Sequence, residues 1–74
     1  MYYLNKVMHK LQIALKQKGI IVCINTIQFY SPENDRIVKM YKLTKGKEIL
    51  VQTTQQIKVV ELLKNMWQEV KNND

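Results

Sequence analysis

Ile37–Thr54, IVKMYKLTKGKEILVQTT, decides how this chain folds. Two stretches rich in β-branched and aromatic residues flank Thr44-Lys45-Gly46-Lys47, and Gly46 is the residue type a tight reversal needs. IVKMYKL therefore reads as one strand, TKGK as the turn and EILVQTT as the next strand. Register is left open at this level. A two-residue turn at Lys45-Gly46 pairs Met40 with Val51 and Tyr41 with Leu50, so that Lys39, Tyr41, Leu50 and Gln52 share one face. A three-residue loop through Lys47 pairs Tyr41 with Val51 and Met40 with Gln52. That face then carries Val38, Met40, Lys42, Leu50 and Gln52.

Upstream of this hairpin, Ile20–Tyr30, IIVCINTIQFY, is again β-rich and reads as a first strand. Its alternation places Ile27 and Phe29 on one face with Ile21 and Cys23, interrupted by Asn25 as at a bulge. SPENDR, Ser31–Arg36, is the turn that follows, with Pro32 restricting φ and Asn34 and Asp35 tolerating turn geometry. At the N-terminal side, YYLNKVMHKLQIALKQKG is an amphipathic helix. Leu4, Val7, Met8, Leu11, Ala14 and Leu15 form its apolar stripe, and Gly19 follows where a left-handed C-terminal residue is expected. After the hairpin, Thr53-x-x-Gln56 matches a capping box. QIKVVELLKNMWQEVK is then a second helix with a stripe of Ile57, Val60, Leu63, Trp67 and Val70, widened by Val59, Leu62 and Met66. The NND end frays. The expectation is one α+β domain over residues 1–74. Its order is α-β-β-β-α, with two helices packed on one face of a three-stranded antiparallel sheet.

Composition narrows the function. At 74 residues, 46% hydrophobic and 24% charged, the chain is long enough for one small core and too apolar for disorder. Twelve Lys plus Arg against six Asp plus Glu give a net charge of +6, which favours anionic partners. Arg36 is the sole arginine, and lysine is a hydrated point charge ill suited to reading base edges, so contact independent of base sequence is expected. The longest apolar run, Ile20–Ile24, is five residues, far short of a membrane span, and MYYLNKVMHK lacks an apolar signal-peptide core. With Cys23 the single cysteine, no intrachain disulfide is available, and a cytoplasmic setting is expected.

Catalytic groups are sparse. His9 falls on the polar side of the first helix, and Cys23 lies among isoleucines as a small buried hydrophobe. One His and one Cys cannot build a structural zinc site, and the two glycines stand too far apart for a phosphate loop. Neither enzyme, cofactor nor metal is expected. Trp67 reads as a packing anchor. The candidate binding residues are Lys39, Tyr41, Lys42, Lys45, Lys47 and Leu50 on the hairpin, Lys6 and Lys10 on the first helix, and Lys58 on the second. Tyr41 among lysines would combine base stacking with phosphate contact.

The α-β-β-β-α outline is similar to that of double-stranded-RNA-binding domains, whose grip lies at the start of the second helix. Here TTQQIK offers only Lys58 at that point. The chain also resembles small phage anti-CRISPR proteins in length and order, and KNMWQE, Lys64–Glu69, looks like a Lys-Asn-x-Trp stretch of one such group. That group is acidic and mimics DNA, whereas this chain is +6. The resemblance implies a phage or mobile-element protein that inhibits or modulates a host nucleoprotein complex by contacting guide RNA or an acidic protein surface. Two other readings stand beside it. One is a non-specific nucleic-acid-binding domain using the lysine-rich hairpin. The other is a homodimer pairing its open sheet faces, which Leu50→Lys would disrupt.

Overall fold

A computed structural model describes residues 2–72, apart from the side chain of Tyr2. The elements are α1 (Tyr2–Gln17), β1 (Cys23–Ser31), β2 (Arg36–Lys45), β3 (Glu48–Thr53) and α2 (Gln56–Asn72). This is the expected α-β-β-β-α order. Asn73 and Asp74 of the NND end lie outside the described residues.

α1 ends as its sequence demands. Gly19 takes φ of +85°, the N–H of Ile20 donates to the Leu15 carbonyl at 2.9 Å, and that of Gly19 donates to the Lys16 carbonyl at 3.0 Å. Those two bonds make a Schellman motif that satisfies carbonyls the helix would leave bare. The motif also turns Ile20 back against the core that holds Leu15. A Cβ at Gly19 would meet nothing within 4 Å, so only the backbone conformation resists a side chain there. Gly19→Ala should therefore cost about 1–2 kcal/mol, the left-handed penalty alone, read as a lower urea midpoint with an unchanged slope.

The first strand begins later than its composition suggests. Ile20–Val22 is an irregular lead-in, with Val22 buried and its carbonyl accepting from Gln12 Nε2 at 2.9 Å. From Cys23 onward the pairing with β2 is unbroken, Cys23 with Thr44 through to Ser31 with Arg36, so no bulge occurs at Asn25. The sheet order is β1-β2-β3 with both pairs antiparallel.

Both registers considered for the second hairpin are corrected. Lys45 pairs with Glu48, leaving Gly46 and Lys47 as the two turn residues. Gly46 has φ of +62°, and a tight hairpin turn puts its positive-φ residue first in the loop. A shift then occurs between Leu43 and Thr44: Thr44 pairs with Ile49, but Leu43 pairs with Val51, making Leu50 the extra residue of a bulge. Beyond it, Lys42 faces Gln52 and Tyr41 faces Thr53. The bulge lets both Leu50 and Val51 pack against the core.

The core consists of Met8 and Leu15 from α1, Val22 from the lead-in, Leu43 from β2, and Val59, Val60 and Leu63 from α2. α1 packs chiefly on α2, and α2 packs on β2 and β3. Both helices thus cover one face of the sheet. Trp67 is half-buried against this core, as expected of a packing anchor. The capping box does not form. Thr53 ends β3, and its Oγ1 accepts from the Gln55 N–H at 3.0 Å, while the Gln56 side chain crosses to α1 and donates to Asn5 Oδ1. Gln56 is more useful there, since that bond ties the two helix starts together.

The molecule measures 47 × 27 × 15 Å. Its radius of gyration is 13.6 Å, against about 11 Å for a compact chain of this length. The excess comes from the outer half of the β1–β2 hairpin. Residues of both its faces, Ile27 and Phe29 on one and Tyr30 and Ile37 on the other, are exposed.

Candidate interaction surface

Register assigns every strand residue to a face. Ile24, Tyr41, Leu43 and Val51 point toward the helices, and Lys39, Lys45, Tyr30 and Ile37 share that side by alternation. The open face carries Cys23, Asn25, Ile27 and Phe29 from β1. It takes Arg36, Val38, Met40, Lys42 and Thr44 from β2, and Ile49 and Gln52 from β3. A hydrogen bond from Gln52 Nε2 to Met40 Sδ, at 3.0 Å, runs across that face between β3 and β2.

The open face has an internal order. Ile27 pairs with Met40 and Phe29 with Val38, giving one contiguous apolar block. Ile27 and Phe29 are 48% and 42% exposed, while Val38 and Met40 are half-buried beside them. Lys42 lies beside the block toward the body of the sheet and Arg36 toward the hairpin tip. Six residues of extended strand set these two cations about 20 Å apart.

The lysines expected to act together are divided by this geometry. Lys42 is on the open face, Lys39 and Lys45 are on the helix side, and Lys47 is in the turn. Strand alternation separates them, so they do not form one patch on one face. Tyr41 is half-buried against the core and so is not a free stacking platform. Leu50, through the bulge, faces the core and not the open side, and Leu50→Lys would disturb packing first. Lys6 and Lys10, with Asn5, His9 and Ile13, line a shallow groove on α1 that no hairpin residue enters. Lys58 is exposed in the first turn of α2. Cys23 is exposed on the open face, which corrects the reading of it as a buried hydrophobe: its neighbours Val22 and Ile24 point inward instead.

A second depression, of about 590 Å³, opens on the helix side between the hairpin and the helix starts. Leu4, Lys39, Tyr41, Gln56 and Ile57 line it. Among the described residues, no group of three or more His, Cys, Asp or Glu could hold a metal ion. No helix among them is long and apolar enough to cross a membrane.

At the hairpin tip, Tyr30 Oη donates to Asp35 Oδ1 at 2.5 Å, across a turn in which Asp35 takes φ of +50°. This bond to the carboxylate, with a smaller contribution from desolvation, raises the Tyr30 pKa above the ordinary phenol value. The stabilisation is then fully present below about pH 10 and is lost as pH rises through the folded-state value. Ultraviolet titration should show the Tyr30 phenol ionising late, and Asp35→Asn should lower its pKa toward the ordinary phenol value. An unchanged titration would remove this bond from the account of the tip.

No family model matches this chain, and neither a curated protein nor a solved structure matches it significantly.

Proposed function

We propose that this protein works by binding, as a non-enzymatic inhibitor or modulator of a host nucleoprotein complex, and that it engages the complex through the open face of its sheet. One observation carries the reading: the apolar block Ile27, Phe29, Val38 and Met40 is bracketed by Arg36 and Lys42. An apolar centre with a charged edge is the composition of protein-binding surfaces, where the centre supplies affinity and the rim supplies orientation. The bracketing cations suit a protein surface that borders phosphates or carboxylates. Length, element order and KNMWQE support an anti-CRISPR-like role. Since Met66 and Trp67 pack on the core, Lys64, Asn65, Gln68 and Glu69 are the parts of that motif exposed for contact.

The test is a cleavage assay with a purified type II RNA-guided nuclease, adding this protein before guide RNA, after guide RNA and after target DNA. Stoichiometric inhibition at one of those stages supports the reading. Unchanged cleavage and unchanged DNA binding at every stage would reject it for that partner class.

The net charge of +6 favours a second reading, non-specific nucleic-acid binding. It predicts affinity for duplex RNA, duplex DNA or single strands that falls steeply between low and near-physiological salt. With the lysines spread over both faces, any such binding should weaken gradually over several charge reversals and not collapse at one pair. A salt-insensitive interaction would exclude it.

A further inference from the structure

We propose that two copies of this chain pair edge to edge through β1. Antiparallel pairing about a two-fold axis at Ile27 would join their sheets into one six-stranded sheet. The two sheet edges differ. β1 and β3 each have one neighbour, so each leaves a row of backbone donors and acceptors without a strand partner. β3 is blunted: it has six residues, a bulge at Leu50, and Glu48 near its start. β1 has none of these defences. Its nine residues, CINTIQFYS, include no charged side chain and no proline, and they pair with β2 without a shift. Only Ile24 and Ser31 among them are half-buried, and the rest are exposed.

The charge distribution leaves β1 open to a second copy. Two chains of +6 repel, so they can meet closely only along a seam without cations. β1 is the uncharged strand of the three, since β2 carries Arg36, Lys39, Lys42 and Lys45 and β3 carries Glu48. The strand also suits itself. With Ile27 opposite Ile27 of the second copy, all nine residues pair over about 30 Å. Phe29 then stands beside the second copy's Asn25 on the open face, and Tyr30 beside its Ile24 on the helix side. The apolar blocks of the two copies become one surface, with Ile27 at its centre, and Tyr30, 57% exposed in one chain, gains an apolar neighbour. The pairing is read without any other partner, so it stands or falls separately from the nucleoprotein reading.

Sedimentation velocity from about 1 to about 300 µM protein tests this. The expected result is a shift from 8.8 kDa to twice that mass, at lower concentration when salt is added, because salt screens the repulsion between copies. That sign is opposite to the salt dependence of nucleic-acid binding. Ile27→Lys places two cations face to face at the axis and should raise the dimer dissociation constant about 100-fold or more with helix and strand content unchanged. In a Cys23→Ser background, Ile27→Cys should oxidise rapidly to a cross-linked dimer, while Ile49→Cys on β3 should not. A monomer at every concentration overturns the proposal and leaves the β1 edge to a strand of another protein. A dimer that survives Ile27→Lys but is lost on Met40→Lys also overturns it, in favour of pairing through the open faces.

Discussion

Leu43→Ala should lower the stability of this protein by about 3 kcal/mol, and Met40→Ala, three residues away on the same strand, should lower it by about 1 kcal/mol or less. Leu43 is fully buried, the one strand residue among the buried core residues, and shares that cluster with residues of both helices. Its cross-strand neighbours Ile24 and Val51 also face the helices, so truncation leaves a hole that no nearby loop can fill. Met40 lies on the open face, half-buried beside Ile27, and the space it vacates is filled by water. A domain of this size has about 4–11 kcal/mol in total, so the first substitution removes a large share and populates the unfolded state at moderate urea. Urea unfolding followed by Trp67 fluorescence measures both changes. A larger loss at Met40 than at Leu43 would mean that Met40, and not Leu43, faces the helices.

That contrast also marks where sequence reading succeeds and where it stops. The helices were legible because their stripes repeat over four turns and because Gly19 ends α1 with chemistry that few other residues supply. Strand existence was legible from β-branched composition. Strand facing was not, because one residue of slip moves every side chain to the opposite face. Two local events, neither visible in composition, set the facing here. The turn uses Gly46-Lys47 in place of Lys45-Gly46, and a bulge absorbs Leu50. Together they put Tyr41 toward the helices and Met40 outward. β1 misleads for a different reason. Its hydrophobic residues look like core, yet Ile27 and Phe29 point to the open face, and the helices reach only the end of the sheet around Ile24 and Leu43, so Tyr30 and Ile37 on the helix side stay exposed too. The useful signal was their shared parity, which placed them on one face without saying which face. The lysine cluster of Lys39–Lys47 is close in sequence and divided in space, because residues an odd number apart on a strand point opposite ways.

If the open face is the working surface, Val38→Asp combined with Met40→Asp should weaken partner binding at least about 100-fold, while Lys42→Glu with Lys45→Glu should weaken it only several-fold. Val38 and Met40 form the β2 side of the apolar block and lie away from the β1 edge, so this pair probes the face independently of dimerisation. Two carboxylates there would have to be desolvated in the complex but stay hydrated in the free protein, so binding suffers far more than folding. Lys42 and Lys45 lie on opposite faces, and a single partner surface meets at most one of them closely. Their reversal should act mainly through the association rate and should fade as salt is raised. Binding constants for the two double variants, measured at low and near-physiological salt with circular dichroism as the folding control, separate the mechanisms. A larger loss from the lysine pair, steepest at low salt, would transfer the function from the apolar block to the charge and favour nucleic acid as the target. A larger loss from the aspartate pair, the same at both salts, would keep it on Ile27, Phe29, Val38 and Met40, where the contact needs a complementary apolar protein surface.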